Sequence, residues 1–267
     1  MKKEQLIDQL LTYFCQEGEQ TFSFSIPPDY REKRRLLRGI VNIRPPYPLD
    51  EKILKLEDEL LQLELKEKKI TVTNEIPCIE DQFHVLSVWR GDITTLQVDA
   101  IVNAGNTSLL GCFIPNHSCI DNAIHTYAGI RLRLSCNEMM NGKDEKVGQA
   151  KLTGAYNLPS QYIIHTVGPM IRGHVTKEDK DKLRSCYYSC LELTQKKQIR
   201  TIAFPSISTG VFHFPKTLAA EIAVATVCEF LKDNPETLDR VIFNVFTEED
   251  QEIYERIFRN KKINLSS

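Results

Sequence analysis

V-W-R-G-D-I-T-T-L-Q-V-D-A-I-V-N-A-G-N-T-S-L-L-G-C-F-I-P-N-H-S-C-I-D-N-A-I-H occupies residues 88–125, and the rest of the chain reads as its support. It opens on an acidic turn, Gly91-Asp92-Ile93. A short apolar run, Ala100-Ile101-Val102, closes in Asn103-Ala104-Gly105-Asn106. A loop carrying Cys112, His117 and Cys119 follows, and a helix is predicted from Asp121. A strand ending in Asn and small residues, then a loop, then a helix N-terminus, is how α/β proteins build ligand sites.

Outward from this stretch the pattern alternates. Strands are predicted over 85–89, 100–102, 152–156, 162–167, 201–205 and 240–246, and helices over 121–137, 177–196, 215–233 and 248–259. This alternation predicts an α/β/α sandwich. Residues 1–75 differ. Apolar spacing predicts a helix over about 1–20, a second after Ile26-Pro27-Pro28-Asp29, and a third over 49–69, with Pro45-Pro46-Tyr47-Pro48 as a stop between the last two. The chain thus divides into a helical extension, 1–75, and a main domain, 76–267. The second helix carries Arg31, Lys33, Arg34, Arg35 and Arg38, which read as a solvated basic face rather than an anion site. The extension holds no residue cluster that suggests chemistry; it reads as packing on the main domain or recognising a partner.

Composition excludes several classes. The 267 residues are 42% hydrophobic and 26% charged with a net charge of −2, which suits a globular protein and gives no electrostatic case for nucleic acid or an anionic membrane. No run is long enough to span a bilayer, and the N-terminus lacks a signal-peptide core, so a cytoplasmic protein is expected. In a reducing compartment the eight cysteines read mostly as buried thiols.

Cys112-x4-His117-x-Cys119 combines thiolate and imidazole within eight residues, a donor set suited to zinc with a fourth position open. The same trio fits two buried cysteines beside a surface histidine equally well. Ser206-Ile207-Ser208-Thr209-Gly210-Val211-Phe212 follows a buried strand and precedes a helix, so its main-chain N–H groups can approach an anion; alone it is also a plain turn. Paired with the 103–121 stretch it forms a two-loop cradle for a diphosphate. Asp92 can accept from an exocyclic amine such as adenine's, or cap a turn. Asn106 and Asp121 can meet sugar hydroxyls or a water, or serve as turn and cap residues. His125 and His165 read as structural, and there is no Ser/His/Asp triad.

The ordered elements Gly91-Asp92-Ile93-Thr94, Asp99-Ala100-Ile101-Val102-Asn103-Ala104-Gly105-Asn106, Leu109-Leu110-Gly111, Ile120-Asp121-Asn122-Ala123-Ile124-His125, Ile164-His165-Thr166-Val167-Gly168-Pro169 and 204–212 resemble those of the macrodomain family of ADP-ribose-binding modules. Gly105 stands where most members have alanine, and the Cys112 to Cys119 loop replaces their run of glycines. With the helical extension, that loop resembles the zinc-dependent microbial branch of the family. The resemblance implies a three-layer α/β/α fold around a mixed sheet, one bound Zn²⁺, and removal of mono-ADP-ribose from protein side chains, Asp or Glu esters being the expected linkage. It assigns the metal to Cys112, His117 and Cys119. It also assigns adenine to Asp92 and Ile93, and the diphosphate to Ser208, Thr209, Gly210, Val211, Phe212 and the main chain around Ile120 and Asn122. Phe212 would pack near the distal ribose, Asn106 would bond one of its hydroxyls, and Asp121 matches an aspartate near the catalytic water. Implied partners are a mono-ADP-ribosylated protein, such as a lipoylated carrier, and a sirtuin-like ADP-ribosyltransferase. Two rival readings are a module that binds ADP-ribose without cleaving it and a hydrolase of free derivatives such as O-acetyl-ADP-ribose.

Overall fold

The computed structural model describes residues 1–17, 26–79 and 81–265, so the tail of the first expected helix, 18–20, lies outside the described residues. Three helices come first: α1 (Lys3–Gln16), α2 (Tyr30–Ile43) and α3 (Glu51–Leu65). Asp29 caps α2 by accepting from the N–H groups of Arg31 and Glu32, and Asp50 caps α3 through Lys52 N–H. The apolar stripes of the three helices meet in a small core of Leu6, Leu10, Phe14, Leu37, Leu54 and Leu60. Ile130 from the main body completes it.

A two-stranded parallel ribbon then joins β1 (Thr71–Val72) to β3 (Leu96–Gln97), a pairing the sequence pattern does not announce. The main sheet contains β2 (Leu86–Arg90), β4 (Ala100–Gly105), β5 (Ala150–Gly154), β6 (Tyr162–Val167), β7 (Thr201–Phe204) and β8 (Arg240–Val245), in the order β2-β8-β7-β4-β6-β5. Every neighbouring pair is parallel except β5 with β6, so the sheet is mixed, with its one antiparallel strand at an edge. Four helices cover its two faces in three layers with α4 (Ile120–Ala128): α5 (Ile130–Met140), α6 (Lys177–Lys197), α7 (Lys216–Asp233) and α8 (Glu248–Leu265).

The period of two in β4 explains how this works. Ala100 and Val102 face the core built with α6, α7 and α8, where Leu183, Tyr187, Val224 and Phe258 pack. Ile101 faces the other core, against Ile124 and Ala128 of α4 and Leu132 and Cys136 of α5. A strand buried on both faces must be apolar throughout, as 100–102 is.

One expected element divides. The single helix read over 121–137 is two helices, broken at Gly129, whose φ is +92°. A Cβ there would stand 3.0 Å from Leu61 Cδ1 and 3.2 Å from Glu57 Oε2. The close approach of α3 therefore needs the missing side chain, and the left-handed backbone turns the chain. Glu57 then accepts from Ile130 N–H at 2.7 Å and caps α5.

Candidate active site

The loops after β2, β4 and β7 all leave the sheet at the strands' C-terminal ends, where open α/β sheets hold ligands. In the first, Asp92 Oδ1 accepts from Thr94 N–H (3.0 Å) and Thr94 Oγ1 (2.7 Å), making it the cap of a short 3-10 turn. Among the described residues its Oδ2 has only Lys68 Nζ at 3.9 Å, so one oxygen of the carboxylate caps the turn and the other stands outside it. Ile93 beside it is buried.

After β4, Asn106 holds a tight turn: Oδ1 accepts from Ser108 N–H and Oγ, and Nδ2 donates to Gly111 O at 3.0 Å. Among the described residues the second N–H of that amide takes no partner. Gly111, at φ +86°, lies on the His125 ring, where a Cβ would come within 2.8 Å of Cγ. The chain then runs without helix or strand to Cys119, which is the N-cap of α4 and accepts from Asn122 N–H at 3.4 Å.

Cys112, His117 and Cys119 are half-buried and converge: their ligand atoms lie within 4.8 Å of one another, and Cys112 Sγ stands 3.5 Å from His117 Nδ1. Zinc bonds of about 2.3 Å to sulfur and 2.0 Å to nitrogen place tetrahedral ligands roughly 3.6 Å apart, so the donor set and its spread fit that ion. No other Cys, His, Asp or Glu joins the group among the described residues. Without a cation, burial, together with the Cys112 sulfur and Asp121, pushes the Cys119 thiol up to about 11, against the lowering effect of the Asn122 N–H. A bound cation reverses that logic and holds the thiolate.

Asp121 follows in the first turn of α4, 5% exposed. It accepts from Asn103 Nδ2 at 2.8 Å, and burial raises its carboxyl to about 6 despite that bond. Asn103 also meets His165 Nδ1 (3.2 Å), whose Nε2 meets Thr153 Oγ1 (2.8 Å). Burial holds His165 near 3 and His125 well below the ordinary imidazole value, so both are neutral rings forming a floor beside Asp121, with His125 Nε2 3.7 Å from Asp121 Oδ1. Asn103, at the end of β4, is an orienting partner of Asp121 that sequence reasoning did not single out.

The loop after β7 turns through Ser208, at φ +66°, with Phe214 N–H donating to Ser208 O and His213 N–H to Gly210 O. Ser208 Oγ packs so closely on Gly168 that a Cβ there would stand 2.0 Å away. Gly210 and Val211 are exposed, and the N–H groups of 210–212 take no protein partner among the described residues, as an anion cradle requires. Phe212 O accepts from Ile171 N–H, which ties this loop to the segment after β6. Ile120, the first residue of α4, presents its main chain at the helix's positive end.

Asn122 is fully buried, and its side chain bonds Arg38, Thr126 and Ile114 O, so its main chain is the part that stands at the helix start. One expectation changes. The basic stretch of α2 is not simply a solvated face: Arg34 pairs with Glu64, and Arg38 reaches His117 O and Asn122. Arg133 was also missed. It is 5% exposed, donates to Leu110 O, Val41 O and Arg44 O, and stacks on Phe113 at 4.6 Å. A signal for Arg38 was present in Gly39, a residue unfavourable inside a helix unless something approaches it.

The Macro domain family profile matches residues 102–223. The chain is 47% identical over 255 residues to a protein-ADP-ribose hydrolase of Staphylococcus aureus, covering 94% of each chain. It is 43% identical to one of Treponema medium, covering 93% of this chain and 96% of that one. Among solved structures, a Trypanosoma brucei macrodomain in complex with ADP-ribose superposes with TM-score 0.65 at 29% identity, over 88% of this chain and 97% of its own. An Oceanobacillus iheyensis macrodomain with ADP gives TM-score 0.61 at 38% identity over 67% and 92%. No described helix is long and apolar enough to cross a membrane.

Proposed function

Because the chain belongs to the macro domain family, we propose that it is a zinc-dependent hydrolase that releases mono-ADP-ribose from modified protein side chains, Asp or Glu esters in particular. Similarity to protein-ADP-ribose hydrolases over nearly the whole of both chains supports the reaction class. The observation that carries the metal is the convergence of Cys112, His117 and Cys119 at the start of α4, the last of them two residues before Asp121.

In this reading Asp92 Oδ2 and the Ile93 main chain take adenine. The 208–212 loop and the start of α4 take the diphosphate, and Phe212 and Asn106 orient the distal ribose. Cys112, His117 and Cys119 hold Zn²⁺, which when bound supplies Lewis-acid polarisation or lowers the pKa of a water. Asp121, oriented by Asn103 on the floor of neutral histidines, positions the attacking water and receives its proton. A lipoylated carrier protein is the proposed substrate and a sirtuin-like transferase the enzyme that modifies it.

The test is release of ADP-ribose from mono-ADP-ribosylated protein by enzyme as purified, after chelation, and after zinc is restored. Loss and recovery of release with the metal support the reading. Binding of ADP-ribose without release in any sample would replace it with a non-cleaving module. Release indifferent to metal content would leave Asp121 and Asn106 to act alone, and faster turnover of small free esters than of modified protein would move the substrate.

A further inference from the structure

The loop between Cys112 and Cys119 contains no helix or strand, yet α2 grips it between the candidate ligands. Arg38 Nη2 donates to His117 O (3.0 Å) and to Asn122 Oδ1 (2.6 Å), and Nε donates to the same oxygen (3.2 Å). Asn122 passes the grip on, donating through Nδ2 to Ile114 O (3.1 Å) while its N–H reaches Cys119 Sγ. One turn further along α2, Asn42 Oδ1 accepts from Asn116 N–H (2.9 Å) and Nδ2 donates to Thr126 Oγ1 (3.2 Å). Asn42 is 1% exposed. Between these two residues Gly39 leaves room for the loop: a Cβ there would meet Asn116 Nδ2 at 3.1 Å. Asn116 itself sits at φ +55°, a conformation that asparagine tolerates better than most residues.

We propose that Arg38 and Asn42 are positioning residues for the metal ligands, so that metal retention depends on the docked helical extension. The inference rests on the zinc reading above. Partners of first-shell ligands fix ligand orientation, and the loop offers no internal ladder to do so. Arg38 suits the task because a planar guanidinium bonds the carbonyl of one ligand residue and the Asn122 amide at once.

The test uses the full-length chain stripped of metal, titrated with Zn²⁺ against a chromophoric chelator. The comparison is wild type, Arg38→Ala, Asn42→Ala and Arg34→Ala. The last breaks the Arg34–Glu64 pair inside the extension without touching the loop. Arg38→Ala and Asn42→Ala are expected to weaken zinc roughly ten- to hundred-fold. Arg34→Ala should leave zinc affinity near that of wild type, and metal-free ADP-ribose affinity should hold in all three. If Asn42→Ala does not fold, Arg38→Ala and Arg38→Lys decide, the lysine variant falling between wild type and alanine. Unchanged zinc affinity in Arg38→Ala overturns the proposal, as does an equal loss in Arg34→Ala, which would show that the contacts of Arg38 and Asn42 with the loop have no positioning role of their own. A wild-type chain that takes up no zinc would instead overturn the metal reading itself.

Discussion

Replacing Glu57 by glutamine should reshape how stability depends on pH. Glu57 is 6% exposed where α3 meets α5, with Oε2 accepting from Ile130 N–H at 2.7 Å. Burial raises its carboxyl from an unhindered 4.5 to about 7, the Ile130 N–H and the Arg34 and Arg133 charges opposing that rise and Asp58 adding to it. A carboxyl raised on folding contributes stability that is fully present below 4.5 and lost as pH climbs through about 7. At about 1.4 kcal/mol per pH unit, the gap between 4.5 and about 7 amounts to about 3 kcal/mol, of which about 2.5 falls between pH 5 and pH 8. Glutamine keeps an oxygen for the Ile130 N–H and has no proton to lose. Any fixed cost of the amide cancels when the two pH values are compared. Urea unfolding of both proteins at pH 5 and pH 8 reads the difference directly. The variant should gain about 2.5 kcal/mol on wild type between the two pH values. Parallel stability profiles would refute the argument, and so would a variant that loses ground as pH rises.

Cys119→Ala removes a candidate metal ligand. ADP-ribose release should vanish while calorimetry still finds most of the ADP-ribose affinity, because the adenine and diphosphate loops lie elsewhere; intact release would take the loop out of the chemistry. Gly168→Ala places a Cβ 2.0 Å from Ser208 Oγ and 2.8 Å from Ile207 Cγ2, so the Ser208 and Ile207 side chains must give way, and Ser208 Cβ at 3.3 Å carries the strain toward the 208–212 loop. The expected cost is about 1–3 kcal/mol in thermal or urea unfolding, accompanied by weaker ADP-ribose binding. Gly105→Ala does the opposite: its Cβ would meet Asn103 Nδ2 and Leu109 Cδ2 at 3.4 Å, an ordinary contact, at a backbone position without positive φ. It should raise stability by about 0.4–1 kcal/mol, and an unfolding midpoint below wild type would contradict the space seen there.

The sheet was legible because its strands obey simple local rules. Residues 100–102 and 202–204 are apolar on both faces, and both lie in central strands of the sheet. The start of α2 after Ile26-Pro27-Pro28-Asp29 was legible for the same reason, since the break and the helix it precedes are neighbours in sequence. The convergence of Cys112, His117 and Cys119 also lay within reach, because all three ligands sit on one short loop. The failures share a different cause. Arg38 was read as solvated because its partner Asn122 is 84 residues away, and no local pattern encodes that bond. The break at Gly129 depends on α3 pressing from outside, which the periodicity of 121–137 does not register. For Asp92 the turn-cap reading is seen directly, through Thr94 N–H and Oγ1 on one carboxylate oxygen, and it leaves the other oxygen, 3.9 Å from Lys68 Nζ, outside the turn.

Arg133 makes the extension hard to remove. Its guanidinium is satisfied by Val41 O and Arg44 O at the end of α2, and by Leu110 O just ahead of Cys112. A chain begun at residue 76 would keep the whole central sheet but remove two of the three carbonyls that hold this guanidinium and uncover it to solvent, so that its grip on Leu110 O would no longer be fixed. Ile130 would lose the small core that covers it. Truncation to the part that carries the family motifs is therefore not a neutral trimming. It would unsettle the segment leading into Cys112, and any shortened version intended for screening or crystallisation should retain α2 or replace Arg133 along with it.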